Sequence, residues 1–128
     1  MTDYSPLLSG VPGIAHGFGN KGALLPTPLQ PFRNTLPEKK QVHGTRIVDI
    51  HQAGQQCGEA DGFFTREPGI LISVLTADCL PVIFSRKDGS AIAAVHAGWR
   101  GLLDGILEQM AKRIGQDDDT ANWVASIG

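Results

Sequence analysis

A chain of 128 residues, 41% hydrophobic and 19% charged, has the composition of one globular domain with a modest core, which excludes an intrinsically disordered protein. Its net charge of −2, with both signs mixed along the chain, leaves no basic face, so neither a nucleic acid nor a membrane is an expected partner. No apolar run reaches the roughly 18 residues of a membrane span, residues 1–10 lack a signal-peptide pattern, and two cysteines make no disulfide framework, so the expectation is a cytoplasmic protein with reduced thiols.

Residues 1–37 are rich in Gly and Pro. "GIAHGFGNKG" suggests a short edge strand over 14–18 and then a loop, and "PLQPFRNTLP" should be irregular because each Pro removes a backbone donor. "KQVHGTRIVDI" reads as one strand with a glycine bulge at Gly44, with Val48 and Ile50 on one face and Ile47 and Asp49 on the other. "GQQCGEADGFFT" reads as a loop or turn-rich insert. "GILISVLT", residues 69–76, is nearly all apolar and is the expected central strand. Residues 81–85 and 90–96 flank Asp88-Gly89 and should form a β-hairpin.

Apolar residues at 102, 103, 106, 107, 110 and 114 predict one amphipathic helix ending at Gly115, in which Gly105 weakens the helix by about 1 kcal/mol relative to Ala. "ANWVASI" is the last strand. Because a terminal strand usually needs a further element to cover it, the chain is expected to be the first part of a longer polypeptide, and its exposed strand edges are expected to favour association.

Three residues with metal-binding or nucleophilic chemistry fall at strand ends: His43, Cys79 and His96. Two imidazoles and a thiolate suit zinc, and three protein ligands leave a fourth position open for water or substrate. The same residues would serve equally as a Cys nucleophile with a His base and an orienting His, without metal. The spacing decides neither: there is no CxxC pair and no HExxH helix. A free Cys is most often a buried small hydrophobe, and either His could be a core imidazole bonded to backbone.

Asp78 is read first as a turn residue and otherwise as a group accepting a hydrogen bond from a ligand His or from substrate. Arg100, with Gly98 and Gly101 around it, starts the helix after "HAGW", where free amides and a guanidinium suit phosphate; the alternative is a surface Arg in a strand-to-helix turn. Trp99 is read as packing, Cys57 as lying in a polar loop, and His51 as solvated, while His16 carries little signal. Asp61-Gly62 reads first as a turn, with closure of the pocket as the alternative.

"KQVHG", "ADG", "LTADCLPV" and "AVHAGWRG", in this order, resemble the YfiH family, also described as the multicopper polyphenol oxidase or laccase-domain family. The resemblance spans roughly residues 40–128. It implies a single domain over 1–128, incomplete at its C-terminus, with an α+β fold of mixed sheets in an α/β/β/α layered sandwich. It also implies that His43, Cys79 and His96 are metal ligands, with zinc as the ion. The laccase description implies copper and phenol oxidation instead, but several coppers need many imidazoles and this chain has four His.

Other members act on purine nucleosides, by phosphorolysis of adenosine, inosine, guanosine and methylthioadenosine and by deamination of adenosine. The expected activity is therefore a zinc-dependent purine nucleoside phosphorylase with adenosine deaminase activity, and its small-molecule partners are a purine nucleoside and phosphate. Cys79, His96, His43 and Asp78 would be catalytic, with Asp78 as general acid/base, and Arg100 and Gly101 would hold phosphate. A metal-free Cys–His hydrolase and a copper-dependent phenol oxidase remain the alternatives.

Overall fold

The computed structural model describes residues 5–19, 25–75 and 80–128. Its strands are β1 (Glu38–Lys40), β2 (Ile47–Ile50), β3 (Gln56–Glu59), β4 (Gly62–Thr65), β5 (Leu80–Arg86), β6 (Ile92–Ala97) and β7 (Trp123–Ile127). The helices are α1 (Pro6–Ser9), α2 (Trp99–Asp104) and α3 (Ile106–Gly115), with 3-10 turns at Thr27–Thr35 and Thr120–Asn122. Five strands form a mixed sheet in the order β2-β4-β6-β5-β7, and β1 pairs with β3 in a separate two-stranded sheet. Only β2–β4 is parallel in the larger sheet; its other pairings are antiparallel. The expected α+β fold with mixed sheets is therefore what the chain adopts.

Side chains alternate across a strand, so the sheet has two apolar faces. On one, Phe64, Val82, Val95 and Trp123 pack against Ile106, Met110 and Ile114 of α3. These three residues are spaced at helical intervals and make the buried stripe of α3. On the other face, Phe63 and Ile50 join Cys57 and Ala60, covered by Ile70, Ile72 and Val74. Ile50 and Val48 thus share one face and Ile47 takes the other, as the sequence suggested.

The hairpin forms as expected. Ser85 pairs with Ile92, and the turn carries Gly89 at φ 79°, with the Asp88 carboxylate accepting from the Ser90 amide. The strand at the C-terminal end also forms, paired to β5.

Several expectations are corrected. Residues 14–17 form no strand, and only Phe18 makes an isolated bridge. Residues 27–35 are a 3-10 turn, which tolerates Pro28 near its start and Pro31, whose missing donor ends no long ladder. "KQVHGTRIVDI" divides into β1 and β2, which belong to different sheets. The presumed insert supplies β3 and the fully buried β4, so Cys57 is a buried strand residue and not part of a polar loop.

Of residues 69–76, the expected central strand, Thr76 lies outside the described residues and 69–75 form no ladder. Ile70, Ile72 and Val74 cover the core with a two-residue period, but side chains satisfy the backbone: Thr35 Oγ1 accepts from Leu71 N, and Lys39 and Gln41 bond to Ser73 and Leu75. An apolar run with branched residues fits an extended cover as well as a central strand. The single expected helix is also broken, by Gly105 at φ 90°, a backbone conformation that suits glycine. No helix among the described residues is long and apolar enough to cross a membrane.

Candidate active site at one end of the sheet

The starts of β2, β4 and β5 and the end of β6 lie at the same end of the five-stranded sheet, because β2 and β4 run parallel and both oppose β6. His43 lies in the loop leading into β2, and His96 is the penultimate residue of β6. Their ring centroids are 4.9 Å apart and the planes tilt by 58°. His96 is buried and His43 is exposed. The two histidines, 53 positions apart in sequence, therefore meet at the strand ends.

The residue that brings them together is Asp61, immediately before β4. The β4–β6 register sets Gly62 opposite Val95, which places Asp61 beside His96. The His96 amide donates to the Asp61 carbonyl at 2.8 Å, and His96 Nδ1 lies 2.8 Å from Asp61 Oδ2. The carboxylate also accepts three successive amides of the His43 loop. Val42 N and Gly44 N donate to Oδ1 at 2.9 and 3.1 Å, and His43 N donates to Oδ2 at 3.0 Å.

Asp61 is fully buried, and each of its oxygens holds two bonds, which is what a buried carboxylate requires. Burial alone would push its carboxyl up; the His96 bond and the three amides outweigh it and hold the carboxyl below the usual carboxylate range. An ionised carboxylate only accepts, so in the shared bond His96 Nδ1 is the donor.

His43 is the one described non-glycine residue with positive φ, at 59°. The bulge expected at Gly44 is thus a left-handed residue one position earlier. This region disfavours side chains by roughly 1–2 kcal/mol, though His visits it more often than most. Such a residue persists where its surroundings over-determine it. Here the three amides on Asp61 do so, and the Gln41 side chain adds a second tie: Leu75 N donates to Oε1 at 2.8 Å and Nε2 donates to the Leu75 carbonyl at 2.7 Å.

Asp78 and Cys79 lie outside the described residues. The described flanks of that stretch both adjoin the histidine pair: Leu75 is tied to Gln41 of the His43 loop, and Leu80 pairs with Ala97, next to His96. Arg100 is exposed in the first turn of α2, and Gly101 follows it there. His51 is exposed, and His16 is buried far from the pair in sequence, accepting from Ser5 N at 3.1 Å.

Asp61 is the residue that the sequence undervalued. "ADG" has the look of a turn, and nothing local distinguishes a turn aspartate from a buried hub. The signal lay in its order between "KQVHG" and "AVHAGWRG", not in its own neighbours.

Among the described residues no group of three His, Cys, Asp or Glu is placed to hold a metal ion. The His43 and His96 rings adjoin, and His96 Nδ1 is bonded to a carboxylate, the usual outer partner of a metal-binding His. This donor pair fits a borderline-soft cation that takes nitrogen and sulfur ligands.

Residues 29–128 match the model of the family described as multi-copper polyphenol oxidoreductase laccase. The chain belongs to this family. Within it, the chain is 44% identical over 84 residues to a Haemophilus influenzae protein named purine nucleoside phosphorylase, covering 65% of this chain and 34% of that protein. It is 38% identical over 97 residues to the Escherichia coli purine nucleoside phosphorylase YfiH, covering 73% of this chain and 39% of that protein. The chain thus spans a little over a third of the length of these laccase-family relatives.

Among solved structures, a Neisseria meningitidis protein superposes with a TM-score of 0.70 at 26% identity, over 100% of this chain and 61% of that one. YlmD from Geobacillus stearothermophilus superposes with a TM-score of 0.71 at 20% identity, over 97% of this chain and 59% of that one, a likeness of fold alone.

Proposed function

We propose that this chain carries the metal-binding core of a zinc-dependent purine nucleoside phosphorylase that also deaminates adenosine. The observation that carries the reading is the His43–His96 pair, 4.9 Å apart at one sheet end and tied to one buried carboxylate. The names of the relatives supply the substrate class.

His43, Cys79 and His96 would hold the zinc. Support for Cys79 comes from chain connectivity, since it precedes Leu80 and Leu80 pairs with the neighbour of His96. When bound, zinc supplies a Lewis acid and lowers the pKa of a bound water to roughly 7. The chain's own residues do the rest. His96 presents Nε2 because Asp61 holds Nδ1–H. Asp78 acts as general acid/base, giving or taking the proton of the purine. Arg100, with the Gly101 amide, holds phosphate near the ribose, where one of its oxygens bonds to C1′ as the bond to the purine nitrogen breaks and the purine leaves with a proton.

The test is product analysis. The purified protein is incubated with adenosine, with and without phosphate, beside Cys79→Ala, and the products are identified by mass spectrometry. Adenine with ribose 1-phosphate, and inosine, formed only when Cys79 is intact, is the expected result. No turnover of any nucleoside overturns the reading. Turnover that survives chelation points instead to Cys79 as a metal-free nucleophile, and bound copper with phenol oxidation to the family's descriptive name.

A further inference from the structure

Asp61 does more than stabilise a turn. Its carboxylate is fully buried, and its four bonds divide between the two histidines' neighbourhoods: three to consecutive amides around left-handed His43, one to the ring of His96. Successive amides converging on one anion form a concave nest, which fixes the loop backbone as a unit. The fourth bond fixes the tautomer of a ring on another strand. One carboxylate thus sets the backbone of one histidine and the proton of the other.

We infer that Asp61 is the positioning residue that makes the pair competent to bind metal, by holding His96 as the Nδ1–H tautomer and clamping the His43 loop. This rests on the zinc reading only for its consequence; the tautomer itself is a property of the metal-free protein.

Asp61→Asn is the informative change, because it keeps the shape and alters only the donors. The amide oxygen is best placed at the Oδ1 position, where two backbone amides converge. The NH2 group then replaces Oδ2, where it faces His96 Nδ1 and no longer accepts the His43 amide, so the clamp on that loop loosens as well. The NH2 group donates, so Nδ1 must accept and the proton moves to Nε2. The nitrogen that was free for a metal is then protonated. The same logic makes an Asp-to-Asn change select the wrong imidazole tautomer in a catalytic triad. Outer partners of this kind are typically worth about 10–100-fold in metal affinity.

The experiment reads the imidazole nitrogens by NMR in the purified, metal-free protein, with His96→Gln used to assign the signal. Zinc affinity is then measured by competition with a chelating dye. The expected result is Nδ1–H at His96 in the wild type, Nε2–H in Asp61→Asn, and zinc binding about 10–100-fold weaker in that variant. An unchanged tautomer in folded Asp61→Asn overturns the inference, as does a switched tautomer with zinc affinity within twofold of wild type.

Should Asp61→Asn fail to fold, the wild-type signal decides alone: Nε2–H at His96 overturns the inference, and Nδ1–H supports it. A wild type that binds no zinc while showing Nδ1–H sinks the zinc reading and leaves the positioning of His96 standing.

Discussion

The rings of His43 and His96 lie 4.9 Å apart although one is exposed on a loop and the other is buried in a central strand. The exposed partner is also the strained one, at φ 59°. Strain and a proposed metal ligand therefore coincide at one residue, and the two are separable by mutation. Glycine at 43 relieves roughly 1–2 kcal/mol of left-handed strain but adds about 0.5–1 kcal/mol of backbone entropy in the unfolded chain. His43→Gly should hold stability within about 1 kcal/mol of wild type. His43→Ala keeps the strain and loses the ring, and should be about 1 kcal/mol less stable than the Gly variant. If the proposed function holds, both should lose zinc and adenosine turnover. Urea unfolding decides, and an Ala variant more stable than the Gly variant would refute the claim about φ.

At Gly105 the sequence and the structure predict opposite signs. Read as the interior of one helix, Gly105→Ala should stabilise by about 1 kcal/mol. The structure ends α2 at Asp104 and starts α3 at Ile106, with Gly105 between them at φ 90°, and a Cβ there would sit 3.2 Å from Glu108 Oε2. Gly105→Ala should therefore destabilise by roughly 1–2 kcal/mol, since an L side chain resists this region. A raised melting temperature in the variant would restore the single helix.

Much of the fold was legible where a local signal had a single reading. Asp88-Gly89 between two apolar runs has one good solution, a hairpin, and 106, 110 and 114 have one good face. What failed was pairing. Residues 70–75 and 62–65 are both short and apolar, but the first covers the core without a ladder and the second lies between two strands, because the partners of each are set by the whole chain. The site followed the same pattern. His43 and His96 were found from their type and their place at strand ends. Asp61 was not, because its four donors come from residues up to 35 positions away and leave no trace beside it.

Lys39 carries a pH dependence of known sign. Burial lowers its pKa from 10.5 to about 8, with nearby Cys57 opposing in part. Its ammonium bonds to the Ser73 carbonyl, lies 3.3 Å from Ser73 Oγ, and sits 4.7 Å from the centre of the Phe63 ring. Below about pH 8 folded and unfolded chains both hold the proton, and the burial penalty is constant. Between about 8 and 10.5 the unfolded chain holds a proton that the folded chain has lost, so stability rises with pH. Lys39→Met should remove that rise, which is on the order of 1 kcal/mol after allowing for partial exposure. Urea unfolding of both proteins at pH 7.5, 9 and 10.5 (roughly spanning the two values) reads it. Parallel pH profiles would mean that Lys39 titrates as an ordinary exposed lysine.

Gly62 links the core to the site. It follows Asp61, pairs with Ile47 across β2 and β4, and a Cβ there would lie 2.2 Å from Ile47 Cδ1 and 3.6 Å from Met110 Cε. The first of these contacts cannot stand, so either the isoleucine tip turns or β4 moves. Gly62→Ala should cost about 1–3 kcal/mol, as overpacked cores do. Ile47→Val removes the offending methyl and alone should cost about 0.5–1.5 kcal/mol. Together the two should cost less than their sum, with a coupling on the order of 1 kcal/mol, because the second change opens the space that the first needs. The functional arm follows from Asp61: if β4 shifts, its carboxylate shifts from His96, and zinc binding should weaken in Gly62→Ala and recover in the double variant. Additive stabilities with unaltered zinc binding would show that Ile47 simply rotates away, and that the sheet leaves Asp61 in place.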